Sequence, residues 1–142
     1  MPGYSGTPLP QKLGIRPGHR VAALGVPRSA MPVIAELSVV APVALKLSAG
    51  ASYNVLILFC DRGFDLESMF PKAAARLAPD GGLWVAWPKK SSGVETDLTE
   101  TDVRNLGLSE GLVDNKVCAI DGTWSGLRFV VRLKDRPVKP MS

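Results

Sequence analysis

Residues Asn54–Pro88, NVLILFCDRGFDLESMFPKAAARLAPDGGLWVAWP, decide how this chain folds. Val55–Cys60 is a continuous apolar run, too short for an isolated helix. It has the pattern of a strand buried on both faces, as in a parallel sheet covered by helices. The period then changes: Leu66, Met69, Phe70, Ala73 and Leu77 fall on one stripe of a helix. Pro71 would cost a hydrogen bond in a helix begun at Asp65, whereas with Ser68 as N-cap it sits harmlessly in the first turn. The spacing therefore predicts a loose turn over Asp65–Glu67 and a helix from Met69 to Ala78, stopped by Pro79, Gly81 and Gly82. Leu83–Trp87 reads as a second strand. Strand, crossover helix and strand make a right-handed βαβ unit. Asp61-Arg62 and Lys89-Lys90-Ser91 then emerge side by side, on the sheet edge where open α/β folds bind ligands.

Size and composition limit the rest. The chain has 142 residues, 46% hydrophobic and 21% charged, with a net charge of +4 and a pI near 9.3. One α/β domain over residues 12–134 is expected, between a flexible Pro/Gly-rich arm at 1–11 and a basic, proline-containing tail at 135–142. The mild positive charge suits an anionic partner. Cys60 and Cys118 lie in apolar strand contexts without framework spacing, which indicates buried free thiols and a cytoplasmic protein. No signal-peptide pattern or stretch of transmembrane length is present, so no membrane role is expected.

Outward from the central unit, Lys12–Ile15 suggests a short helical turn and Arg20–Leu24 a strand ending at Gly25-Val26-Pro27-Arg28. Ser29 is the expected N-cap of a helix bearing Met31, Ile34 and Leu37, with Pro32 in its first turn. Val43–Leu47 reads as another strand, but only Ser48–Tyr53 separate it from the central one. An extended return and a strand of different direction both satisfy that spacing. Further on, Thr99 or Asp97 can cap a helix over Glu100–Leu106, with Thr99 and Asp102 at capping-box spacing, and Gly107 and Gly111 bracket a short turn. Lys116–Ile120 and Leu127–Leu133 form an antiparallel hairpin around Asp121–Gly126.

LGIRPGHRVAALG, LAPDGGLWVAWP and the closing hairpin resemble the framework of class I S-adenosylmethionine methyltransferases. YSGTPLPQKLGI, WPKKSSGVETDLTE and LVDNKVCAIDGTWSGLRFV resemble a bacterial, largely actinobacterial, domain family without an assigned activity. The resemblance implies a small Rossmann-like, methyltransferase-like α/β fold. Its sheet would be mostly parallel, with helices on both faces and a C-terminal antiparallel hairpin. It also implies where S-adenosylmethionine would sit, at the turn after the first strand and beside an acidic residue ending the second. That turn here holds one glycine, Gly25, followed by Val26-Pro27, and the second strand ends at Leu47-Ser48 without an acid. Gly25 and Asp61 are the only candidates for cofactor contact.

The remaining candidates are cations. Arg28, Arg62, Lys89 and Lys90 all follow strand ends, so parallel strands would gather them with the hydroxyls of Ser91, Ser92 and Thr96. Fixed cations, hydroxyls and a Ser-Gly loop suit phosphate or carboxylate. Trp87 and Trp124 are placed to touch a ligand, whereas alternation puts Trp84 under a helix. His19 precedes the first strand, on the wrong edge for a Ser–His–Asp arrangement, and the scattered His, Cys and acids have no metal-ligand spacing. The surface lacks the dense basic and aromatic interleaving of a nucleic-acid binder. The expectation is a non-catalytic binding or regulatory domain without a cofactor, taking an anionic small molecule or a protein partner at the rim. The alternative is a reduced S-adenosylmethionine-dependent methyltransferase, and an exposed edge at Val43–Leu47 would allow a homodimer.

Overall fold

The alternation of side chains along the central strand dictates two covered faces, and the computed structural model, which describes residues 6–136, shows both. Strand β3 (Tyr53–Phe59) sends Val55, Ile57 and Phe59 to one side and Leu56 and Leu58 to the other, all buried. It stands inside a six-stranded sheet of order β2-β1-β3-β4-β6-β5. Strands β1 (Val21–Leu24), β2 (Val43–Ala44), β3 and β4 (Leu77–Pro88) run parallel. The hairpin β5 (Leu112–Ala119) and β6 (Trp124–Val131) joins antiparallel to β4. Helices α1 (Leu9–Lys12) and α2 (Met31–Ser38) cover the face of Ile57 and Trp84. Helices α3 (Gly63–Ala74) and α4 (Glu100–Ser109) cover that of Leu58, Val85 and Phe129.

Several local expectations are corrected. Helix α3 starts at Gly63 and ends at Ala74, with Pro71 inside it, instead of spanning Met69–Ala78 from a Ser68 cap. Its first amide is satisfied from outside, because Gly63 N–H donates to Asp97 Oδ1 at 2.8 Å. Pro71 is exposed, so the Glu67 carbonyl that it leaves without a backbone partner is on the solvent side, where water can serve it. Pro79 and Gly81 do not stop a helix: they lie in β4, whose Leu77 already pairs with Tyr53 before a register shift. Arg28–Ala30 forms a 3-10 turn, so α2 begins after Ala30 and Ser29 does not cap it; Pro32 is in the first turn as expected. Gly107 is interior to α4, which continues to Ser109.

The strand expected at Val43–Leu47 is two residues long and parallel to β1, pairing with Val21 and Ala22. Because it climbs so little of the sheet, the return needs no helix. Leu45–Ser52, about eight residues, can span roughly 26 Å when extended. Arg76 pins that return through the carbonyls of Ser48 at 3.3 Å and Ala51 at 3.4 Å. So short a strand leaves little free edge for pairing with a second copy.

Within the arm expected over residues 1–11, Leu9 and Pro10 belong to α1 and are buried, so this part is packed rather than flexible. Leu133–Asp135 makes one 3-10 turn after β6, and the expected basic tail beyond Arg136 lies outside the described residues.

Candidate functional site: the rim at the strand ends

Parallel register brings three strand ends to one edge. Leu24 of β1 is paired with Leu58 of β3, and Phe59 of β3 with Ala86 of β4. The strand order reverses between β1 and β3, the switch point at which doubly wound sheets open a crevice. Here the approach to Gly25 is narrow. Gly25 turns the chain with φ +68°, and a Cβ on it would meet the Phe59 carbonyl oxygen at 2.6 Å and Met69 Cε at 3.2 Å. Met69, projecting from α3, also lies against Cys60, Sδ to Sγ 3.9 Å. Burial pushes the Cys60 thiol up to about 12, reinforced by Asp65 and Asp61. It is an inert core thiol.

Asp61 and Arg62, next in the chain, are exposed and serve the loop above them. The Asp61 carbonyl accepts from Thr96 Oγ1 at 2.7 Å and from the Asp97 amide at 3.4 Å. Arg62 forms a loose, exposed ion pair with Glu95 at 3.8 Å. Thr96 Oγ1 in turn accepts from the Leu98 amide at 3.1 Å. The Ser92 hydroxyl is likewise engaged, donating to the Lys89 carbonyl at 2.6 Å and accepting from the Val94 amide at 3.1 Å.

Past the end of β4, a cavity of about 380 Å³ opens between the rim loop and α4. Trp87, its strand partner Ser125, Lys89 and Lys90 line it together with Thr99 and Glu100 from the capped start of α4. Among the described residues neither lysine has a carboxylate within ion-pair distance, while Glu100 is held by Arg104 at 2.8 Å. The lining thus sets two lysine charges against one carboxylate that is already paired. Lys89 is anchored through its own amide, which donates to the Thr123 carbonyl at 2.8 Å.

The structure thus brings together Trp87, Lys89 and Lys90. Arg28, Arg62, Asp61, Ser91, Ser92, Thr96 and Gly25 line none of the three cavities described. Trp87 and Trp124 are both buried rather than splayed out, and Trp124 packs edge-on against Phe59 with centroids 5.2 Å apart. Thr99 and Ser125 escaped sequence reading as site residues. The capping box of Thr99 was visible, but its seat beside Lys89 depends on how the helix packs. Two other hollows exist. One of about 460 Å³ lies between α3 and α4, with Glu67, Asp97 and Asp102 at its margin. The other, about 560 Å³, lies at the opposite sheet edge by His19 and Tyr53. His19 accepts the Arg16 amide there at 3.2 Å, as a turn histidine does.

No family model matches this chain, and no curated protein does. Solved structures do. The ribosomal protein L11 methylase of Lactobacillus delbrueckii subsp. bulgaricus superposes with a TM-score of 0.57 at 12% identity, over 87% of this chain and 74% of that one. The CcbJ methyltransferase of Streptomyces caelestis gives 0.55 at 10% identity, over 87% and 86%. Magnesium protoporphyrin IX methyltransferase from Synechocystis PCC 6803, solved with bound SAH, gives 0.56 at 12%, over 81% and 75%. The fold is Rossmann-like, of the methyltransferase type. At such identities the likeness is one of scaffold.

The residues that the scaffold would turn toward a cofactor fit it poorly. Beside Gly25 the space is taken by Met69 and the Phe59 carbonyl. Past β2 the chain reads Leu45-Lys46-Leu47, with exposed Lys46 where a ribose-binding acid would be needed.

Proposed function

We propose that this chain is a binding domain on a methyltransferase-like scaffold, taking a small anionic molecule at the rim cavity. Lys89 and Lys90, free of acidic partners at a cavity walled by Trp87 and Ser125, carry this reading. Lysines supply charge, and Thr99 and Ser125 supply hydroxyls for an oxyanion. Glu100, the carboxylate lining this cavity, is ion-paired to Arg104 at 2.8 Å, which suits a structural role better than that of a general base. Calorimetry with inorganic phosphate and adenine nucleotides tests it. Replacing both lysines with alanine should weaken binding by about tenfold or more, as expected for losing charge-assisted contacts. Unchanged affinity in that variant would remove the proposal.

A second reading, a reduced S-adenosylmethionine-dependent methyltransferase, draws support from scaffold neighbours solved with SAM or SAH bound. It requires Met69 to leave its place beside Gly25. Titration with S-adenosylmethionine separates the two readings: micromolar binding that Met69→Trp blocks would favour the second. A bacterial, cytoplasmic setting is consistent with the family resemblance. Among the described residues no helix is long and apolar enough to cross a membrane.

A further inference from the structure

Far from the rim, the sheet face under α1 and α2 carries cations without an ion-pair partner among the described residues. On β6, Trp124, Gly126 and Arg128 alternate onto this face, and Arg128 stands opposite Trp84 of β4 and Lys116 of β5. Like charges directly across a strand pair repel. Lys116 turns away to donate to the Lys12 carbonyl at 3.0 Å. Arg128 instead lies flat across Gly82 of β4. A Cβ on Gly82 would fall within 2.7 Å of Arg128 Nη2 and 2.8 Å of Cζ, so any side chain there would push the guanidinium from this place.

Held there, Arg128 is under-used. Among the described residues its guanidinium makes one hydrogen bond, a long one, Nη1 to Asn115 Oδ1 at 3.4 Å. Arg136 is its electrostatic neighbour, itself tied by Nε to the Val131 carbonyl at 3.1 Å. Arg132, between them in the chain, has a buried Nε with no hydrogen-bond partner. Among the described residues no carboxylate lies within ion-pair distance of Arg128, Arg132 or Arg136. Burial, then the Arg136 charge, press the Arg128 pKa downward. Holding a half-buried guanidinium without a carboxylate costs free energy that a bound dianion would offset, and forked donors match phosphate oxygens in pairs.

We propose that Arg128, cradled by Gly82, forms with Arg136, anchored on the Val131 carbonyl of the same strand, a second binding site, for the phosphate group of a small molecule. Gly82 and Pro88 are six residues apart on β4, about 20 Å at ~3.3 Å per residue. The site is therefore separate from the rim cavity and does not depend on its reading.

The test uses the full chain carrying Lys89→Ala and Lys90→Ala, so that the rim does not contribute. Inorganic phosphate and glycerol phosphate are titrated by calorimetry, with chloride held constant. Binding should persist in this background and fall about tenfold or more on adding Arg128→Gln or Arg136→Gln, the loss expected for a charge-assisted pair of bonds. Gly82→Ala keeps every charge but displaces the guanidinium, and should weaken binding comparably. Tighter binding of the ester would identify a phosphorylated metabolite, and equal binding free phosphate; both support the site. In the unmutated protein, phosphate should also shift the Arg128 Nε–H resonance. Full phosphate affinity in Arg128→Gln, or an Nε–H signal indifferent to phosphate, would overturn the proposal.

Discussion

The indole Nε1–H of Trp84 donates to the main-chain carbonyl of Leu13 at 3.1 Å, linking residues 71 apart in the chain. Both groups are buried, so this bond ties the segment after α1 to the middle of the sheet. Trp84→Phe keeps most of the apolar volume but strands the Leu13 carbonyl. It should cost about 1–3 kcal/mol in urea unfolding, with little change in m-value.

Gly107 meets a different constraint. A Cβ there would collide with the ring of Phe129, which is fully buried and packed edge-on against Phe70 at 5.4 Å. Alanine in a helix interior gains roughly 1 kcal/mol over glycine, while overpacking a core costs about 1–3 kcal/mol. Gly107→Ala should therefore destabilise the protein, and Gly107→Ala combined with Phe129→Leu should recover part of the loss.

Asp97 and Thr99 cap different helices. Asp97 Oδ1 accepts the first amide of α3, and Thr99 exchanges bonds with Asp102 at 3.1 and 3.2 Å to close the start of α4. Each alanine replacement should cost about 0.5–2 kcal/mol. Hydrogen exchange distinguishes them: Asp97→Ala should speed exchange in the first turn of α3, Thr99→Ala in that of α4.

Cys60 makes a prediction about alkaline pH. Its pKa, raised from 9.0 to about 12 chiefly by burial, means that the unfolded chain releases this proton first. Stability should be intact below pH 9 and decline as pH rises from 9 toward 12. Cys60→Ala should flatten that part of the curve, and native Cys60 should resist iodoacetamide at pH 8 until denaturant is added.

How much of this was legible in the chain itself follows the range of the forces involved. The buried run at Val55–Cys60, the βαβ order, the capping box at Thr99 and the closing hairpin are local patterns, and the structure contains all four. Pro71 misled because its effect depends on which face of α3 it occupies, and on Asp97 capping that helix from another loop. Gly107 looked like punctuation because nothing nearby in sequence announces the Phe129 ring. At the rim, Lys89 and Lys90 were readable as residues after a strand. Arg28 and Arg62 follow strand ends too, yet they line none of the described cavities. Met69, read only as part of a helical stripe, fills the space beside Gly25, a contact set by three-dimensional packing.

The loop after β4 is stitched down along its length: Lys89 to Thr123, Ser92 to Lys89, Thr96 to Asp61 and Asp97 to Gly63. A molecule docking beside it meets a wall that is already set. Little ordering entropy is left to lose on association, so affinity there would track the direct contacts alone. Cutting one stitch, as in Thr96→Val, should slow capture more than it hastens escape.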